Sequence, residues 1–220
     1  MKIKIISVDF QKAFSAKGGR HYRRRPAVDF IKETLVPYLS GKNIKVAEII
    51  SDYRQPRKGD SGHSCVPGTR GYESEIDGKV RAKPVWIKAM NSPAWTRKGA
   101  GNPKAKPEEP YPDPGGFTRW LEKTVGKPED IDLVVLIGLT ADCCVFCTAQ
   151  ELAFRGYEVK LLKEGTDTYS GSQKEKKMIL ENYPLKNWAG WTTWKELEKN
   201  LKAWIPASAG MTEKRSKKDE

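Results

Sequence analysis

The stretch GLTADCCVFCTAQELAFRGYEV (138–159) carries cysteines at 143, 144 and 147, at the start of a segment with helical spacing. Sulfur at that density can clamp a metal, form a redox pair, fill space or supply a nucleophile. Structural zinc takes about four ligands, usually as two spaced pairs. Cys144 and Cys147 form one CxxC, no second pair exists, and the only histidines are His21 and His63. A thioredoxin-like pair would follow the first strands of its fold, whereas this CxxC follows a late one. Cys143 and Cys147 lie four apart and read as packing residues, opposite the stripe Val145, Ala149 and Leu152. Cys144 is set apart by position. With Asp142 as N-cap it becomes the second helical residue, where unpaired N–H groups and the helix dipole would lower a thiol pKa and could hold an oxyanion. Such a nucleophile needs a base and an organiser of charge, and neither histidine is well placed. Asp9 and Lys88 could supply both.

The elements that would position these residues alternate. Residues 2–9, 44–52, 85–90, 131–139 and 157–164 read as strands, most of them apolar throughout. Helical spacing marks 26–41, 117–125, the segment from Asp142, 173–182 and 192–204. Buried strands alternating with helices predict a three-layer α/β/α sandwich around a mostly parallel, Rossmann-like sheet. Ligands of such sheets bind beyond the carboxyl ends of the strands. Asp9, Asp52, Lys88 and the 138–144 turn all fall at that edge. Residues 53–84 and the Pro- and Gly-rich 96–116 read as irregular, the latter as a long loop. One domain is expected over 1–205, followed by a disordered charged tail, 206–220.

The formal charge is +12, which suits anionic partners or substrates. Only RHYRRR (20–25) is a dense basic cluster, and no nucleic-acid motif accompanies it, so nucleic acid is the lesser expectation. No apolar run approaches the ~18 residues of a membrane span, and the opening MKIKIISVDF reads as a strand, so no secretory leader is expected. Four clustered cysteines do not make a disulfide framework. A cytoplasmic setting is the expectation.

Four stretches in order carry a likeness: VDFQKAF (8–14), CVPGTRGYE (65–73), KAMNSPAW (88–95) and GLTADCCVFCTAQELAFRGYEV. Together they resemble the isochorismatase-like cysteine hydrolases, the superfamily of nicotinamidases, N-carbamoylsarcosine amidohydrolases and isochorismatases, over residues 3 to about 180. The resemblance implies a triad of Asp9 (general base), Lys88 and Cys144 (nucleophile). It implies a thioester acyl-enzyme, an oxyanion hole from the N–H groups of Thr140 and Cys144, a cis peptide at Leu139–Thr140, and a homo-oligomer. Ala141 stands where the family's usual Thr would be.

Nicotinamidases of this superfamily hold a metal through an Asp-x-His pair and further histidines. Here SDYR (51–54) keeps Asp52 but has Arg54 at the histidine position, and Ser64 precedes Cys65 where another histidine would stand, with His63 one residue early. Asp52 and His63 are weak metal candidates, and no cofactor is expected. Arg54 can be read as a receptor for a substrate carboxylate or as the partner of Asp52. Phe14, Trp86 and Trp95 could wall the pocket, and Trp86 could equally be core. The expected function is hydrolysis of a small amide, N-carbamoyl or ureido compound, with an anionic substrate suited by the charge. The alternatives are a nicotinamidase with an atypical metal site, an isochorismatase-type ether hydrolase, and a basic RNA- or partner-binding module with a vestigial site.

Overall fold

A computed structural model describes residues 1–59 and 62–204; the 206–220 tail lies outside them. The strands are Ile3–Val8 (β1), Val46–Ser51 (β2), Trp86–Lys88 (β3), Trp95–Thr96 (β4), Tyr111–Pro112 (β5), Leu133–Leu139 (β6), Val159–Asp167 (β7) and Gly190–Thr192 (β8). The helices are Lys12–Ser15 (α1), Pro26–Phe30 (α2), Val36–Gly41 (α3), Pro114–Thr124 (α4), Cys144–Ala153 (α5), Gln173–Glu181 (α6) and Trp194–Trp204 (α7).

Six strands form one parallel sheet in the order β3-β2-β1-β6-β7-β8. Every residue of β2 and β6 is buried, as strands covered on both faces require. From β1 the chain steps one way to β2 and β3, and from β6 the other way to β7 and β8. Right-handed crossovers then put helices on both faces. On one, Phe30 of α2 and Tyr38 of α3 meet Trp194 of α7 at 5.9 and 5.0 Å. On the other, Arg155 after α5 donates from Nε to Thr118 Oγ1 of α4 at 3.0 Å. The three-layer sandwich expected from the sequence is therefore present. The order reverses between β1 and β6, so the crevice at their carboxyl ends is the topological switch point where ligands of such sheets bind. Asp9 follows β1 and the Cys144 turn follows β6. Gly138 makes their approach possible: at φ +108°, a Cβ there would stand 2.1 Å from the Val8 carbonyl oxygen.

The structure departs from the sequence reading at four places. The 26–41 helix is interrupted by a π turn at Ile31–Leu35, because Pro37 has no N–H for the regular ladder and the chain widens just ahead of it. The 96–116 segment is not loop to its end. Asp113 caps α4 by accepting from Gly116 N–H at 2.8 Å, with Pro114 at the first helical position, and β5 pairs with β4 inside the segment. β8 escapes notice because it is a three-residue edge strand, with Gly190 and Trp191 exposed and no apolar alternation. Finally, the 20–25 cluster is divided: Arg20, Arg23 and Arg24 are exposed, whereas Arg25 turns inward. Arg25 is 1% exposed; its Nε donates to Thr168 O at 2.9 Å, and its Nη groups donate to Phe14 O at 2.9 Å and Tyr169 O at 2.6 Å. Among the described residues no helix is long and apolar enough to cross a membrane.

Candidate active site

Asp9 leaves β1 in the left-handed region (φ +50°), a conformation Asp tolerates better than most residues. Its carboxylate is buried, accepts from Ser51 Oγ at 2.7 Å, and pairs with Lys88 Nζ at 2.9 Å. Lys88 ends β3, wholly buried. Its Nζ, with three N–H bonds to share, also lies within hydrogen-bond reach of Ser51 Oγ (2.9 Å), the Met90 carbonyl (3.1 Å), the Tyr53 hydroxyl and Cys144 Sγ (3.4 Å). Tyr53 Oη lies 3.3 Å from the same sulfur, and the Cys144 thiol faces Asn91 Oδ1 at 3.8 Å. Three strands and one helix start thus bring Asp9, Lys88 and Cys144 into one contact chain with the lysine in the middle. For Lys88, burial alone would lower the pKa, but Asp9 and Cys144 outweigh it and hold the ammonium above its ordinary value.

The turn before the nucleophile departs from the capping expected. Asp142 is not the N-cap; its carboxylate accepts the Tyr169 N–H at 3.0 Å. Cys143 occupies the cap position, so Cys144 is the first helical residue, and its N–H has no acceptor within the helix. The Leu139–Thr140 peptide is cis, and the Thr140 carbonyl accepts from Cys143 N–H and Val145 N–H at 3.0 Å each.

The thiol electrostatics reverse the sequence expectation. A hydrogen bond to the Cys143 side chain, then burial, push the Cys144 thiol well up, against the opposite pull of Lys88. The same hydrogen bond lowers the Cys143 thiol, and burial raises Cys147 to about 11. All four cysteines are free. At near-neutral pH without substrate, iodoacetamide is therefore expected to alkylate half-buried Cys143 first, with Cys144 slower by about tenfold or more. A peptide-mapped mass-spectrometric time course checks this; faster labelling of Cys144 would mean a resting thiolate.

Ser51, Tyr53, Asn91 and Gln11 were not singled out as site residues from the sequence. Gln11 grips the end of β2, its Oε1 accepting Ser51 N–H at 2.7 Å and its Nε2 donating to Ser51 O at 3.1 Å. The signal for Ser51 and Tyr53 was strand alternation. Residues 51 and 53 share the face of Asp9 and Lys88, whereas 52 and 54 point the other way.

Solved structures of one group share this architecture. An isochorismatase-like hydrolase from Alkaliphilus metalliredigens superposes with TM-score 0.58 at 19% identity, over 92% of this chain and 98% of that one. A pyrazinamidase of Pyrococcus horikoshii, in complex with zinc, gives 0.61 at 17% identity, over 88% and 100%. The N-carbamoylsarcosine amidase from Thermoplasma acidophilum gives 0.53 at 19%, over 88% and 96%. The chain has the isochorismatase-like hydrolase fold. No protein-family model and no curated protein matches the sequence.

Within this fold the metal candidates do not fit a divalent ion. Asp52 Oδ1 accepts Arg54 Nε at 2.9 Å, and Oδ2 accepts Arg54 Nη2 at 2.6 Å and Gly101 N–H at 3.1 Å. His63 Nδ1 accepts the Gln55 N–H at 3.1 Å. The described residues bring no three His, Cys, Asp or Glu side chains together in a metal-binding group, fewer than a protein-held zinc or iron needs. The Arg54 fork is occupied as well. Beyond Asp52, its Nη1 donates to Asn102 O (3.2 Å) and Ala105 O (2.8 Å), and its Nη2 to Gly99 O (3.4 Å). All five of its N–H bonds have acceptors, and they pin the 99–105 turn to β2. Trp95 is 38% exposed and its carbonyl accepts the Ala89 N–H at 2.8 Å just beyond Lys88. Phe14 is buried, stacked on His21 at 5.0 Å. Trp86 belongs to the core side, against Phe117 and Trp120 of α4 at 5.5 and 6.1 Å.

Proposed function

We propose that this protein is a cysteine-dependent hydrolase of a small amide or amide-like (N-carbamoyl or ureido) compound, acting through a thioester. The observation that carries the reading is the buried chain Asp9–Lys88–Cys144, with Lys88 Nζ 2.9 Å from the carboxylate and 3.4 Å from the sulfur. The hydrogen bond to Cys143 and burial favour the thiol form of Cys144, and in this reading Asp9 takes its proton as general base while sulfur attacks the carbonyl carbon. Lys88, touching both, steadies the negative charge as it shifts from carboxylate to sulfur. The oxyanion accepts from the N–H groups of Thr140 and Cys144. Each such donor is worth about 3 kcal/mol of barrier. Collapse breaks the C–N bond, and the leaving ammonia or amine takes the proton from Asp9. Asp9 then activates water, whose attack on the thioester releases the acid and returns the thiol. Trp95 and Phe14 wall the substrate side in this reading.

No step calls on a metal, in keeping with the use of both Asp52 oxygens by Arg54. The neighbours' activities lend the substrate class: one is a pyrazinamidase and another an N-carbamoylsarcosine amidase. The test is ammonia release from nicotinamide, N-carbamoyl amino acids and ureido acids, before and after chelation. Release by the wild type that survives chelation is the expected result. Loss on chelation would restore a metal-dependent nicotinamidase, and silence across the panel would favour ether hydrolysis or a binding role.

A further inference from the structure

Lys88 Nζ has three N–H bonds to give, and more acceptors than that surround it. The Tyr53 hydroxyl, Asp9 Oδ2 (2.9 Å) and Ser51 Oγ (2.9 Å) are nearest, the Met90 carbonyl follows at 3.1 Å, and Cys144 Sγ is farthest at 3.4 Å. With its protons on the nearer oxygens, the ammonium lends the sulfur its charge but no hydrogen bond of its own. Cys143, which also meets the Cys144 thiol, has only a weak S–H donor. Tyr53 is the side chain placed to give the sulfur a strong one.

Tyr53 follows β2 by two residues and is 3% exposed. Its carbonyl accepts Ser64 N–H at 3.2 Å, and the Arg57 guanidinium covers its ring at 3.8 Å, so backbone and ring are both held. The hydroxyl accepts from Lys88 and has one O–H to give. Cys144 Sγ stands at 3.3 Å, close for so large an acceptor atom. Met90 O and Asn91 Oδ1 both lie at 3.4 Å, well beyond the ~2.7–2.8 Å usual for O–H···O. The sulfur is therefore the best-placed acceptor. Accepting from an ammonium polarises the hydroxyl and strengthens it as a donor. Burial first, then the negative charge of Cys144 and Asp9, push the phenol pKa well up, so the group keeps its proton while the thiol loses its own.

We propose that Tyr53 is a further catalytic residue, donating its O–H to Cys144 Sγ to hold the thiolate as it attacks the amide carbon and again as the thioester expels it. This role rests on the thioester reading, yet the thiolate can be observed without turnover. Tyr53 keeps its proton throughout, and the thiol proton goes to Asp9. Beside neutral sulfur the bond is weak; beside charged sulfur the same bond, in the same place, becomes charge-assisted. It is strongest where charge develops, which is the condition for lowering a barrier. The other titratable groups at the sulfur are Lys88, Asp9 and Cys143.

The experiment compares Tyr53, Tyr53→Phe and Tyr53 replaced by 3-fluorotyrosine, all carrying Cys143→Ala so that the neighbouring thiol neither competes nor blocks. Phenylalanine keeps the ring under Arg57 and removes the donor; fluorine beside the hydroxyl makes the donor stronger. Iodoacetamide labelling of the Cys144 peptide, followed by mass spectrometry from about pH 7 to about pH 9.5, reports the thiolate with no substrate present. Tyr53→Phe should slow Cys144 labelling by about tenfold or more, the size of a lost hydrogen bond to a charged group, while Cys147 labelling stays within about twofold. The fluorinated protein should label Cys144 faster than its Tyr53 parent. In turnover, Tyr53→Phe should lower kcat about 30-fold and leave KM within about threefold. Cys144 labelling in Tyr53→Phe at the parent rate would overturn the proposal even if kcat fell, because packing alone would then explain the loss. An unchanged kcat, or slower labelling with fluorotyrosine, would overturn it as well. If Tyr53→Phe does not fold, the fluorotyrosine comparison decides. If no amide is turned over, the amidohydrolase reading falls by itself, and labelling still decides whether Tyr53 holds the thiolate.

Discussion

Replacing Cys144 by alanine is expected to abolish amide hydrolysis, lowering kcat by about 10⁵-fold or more, while Cys143→Ala and Cys147→Ala stay within roughly tenfold of wild type. The asymmetry follows from the contacts. Cys144 is the cysteine whose sulfur meets the Lys88 ammonium and the Tyr53 hydroxyl; Cys143, at the cap of α5, and Cys147, within it, are half-buried. Alanine at 144 leaves the Asp9–Lys88 pair, the first turn of α5 and the Thr140 contacts intact, so loss of activity should come with little change in Tm. The measurements are ammonia release, thermal melting, and intact-mass detection of an acyl adduct in wild type quenched during turnover. An adduct confined to the peptide bearing Cys144 is the positive result. Turnover that survives in Cys144→Ala would mean that Asp9 activates water directly and that the covalent route is wrong.

The fold was legible because its signals are local. Apolar strands ending on Asp9 and Asp52 and the long apolar run 131–139 each specify a buried parallel strand. The switch point between β1 and β6 then gathers the residues just beyond those strands. Asp9, Lys88 and Cys144 could be assembled this way, since each lies at or near the end of its element. The features that stayed hidden depend on parity and on three-dimensional neighbours. Asp52 drew notice as the acid at a strand end, yet alternation aims it away from Asp9 and into Arg54, while Ser51 and Tyr53 turn toward the triad. Arg54 stayed open between a substrate receptor and the partner of Asp52 because sequence cannot show the three carbonyls of the 99–105 turn that close around it. The Cys144 pKa went the wrong way for a similar reason. A helix start favours a thiolate, but the adjoining Cys143 and full burial act in the opposite sense and prevail. Arg25, counted as part of a basic patch, is tied to three carbonyls from distant segments.

Asp9→Asn is expected to cost both activity and stability, and the two losses can be separated. The substitution keeps the shape but removes the base, so turnover should fall to the level of Cys144→Ala. It also places an amide N–H in the vicinity of the Lys88 ammonium, leaving a buried cation without its counter-ion. Breaking such a pair destabilises by about 3–5 kcal/mol. The pH dependence carries the diagnosis. In wild type the Lys88 pKa is held above its ordinary value of 10.5, so its stabilisation is complete below that value and is lost only as pH rises through the folded-state pKa. In the variant the larger of the two groups that offset burial is gone, and with only Cys144 left to oppose it desolvation pulls the folded-state pKa below the unfolded one. The unfolded chain then binds the proton more readily, so stability of the variant should rise with pH toward about 10, narrowing its gap to wild type. Urea midpoints at about pH 7 and about pH 9.5, in reductant, measure this. The double variant Asp9→Asn/Lys88→Met should regain much of the lost stability, since it leaves no unpaired charge, while remaining inactive. A single variant as stable as wild type, with a gap that does not change with pH, would show that Lys88 is not held as a cation by Asp9, and the charge arrangement on which the mechanism depends would fall with it.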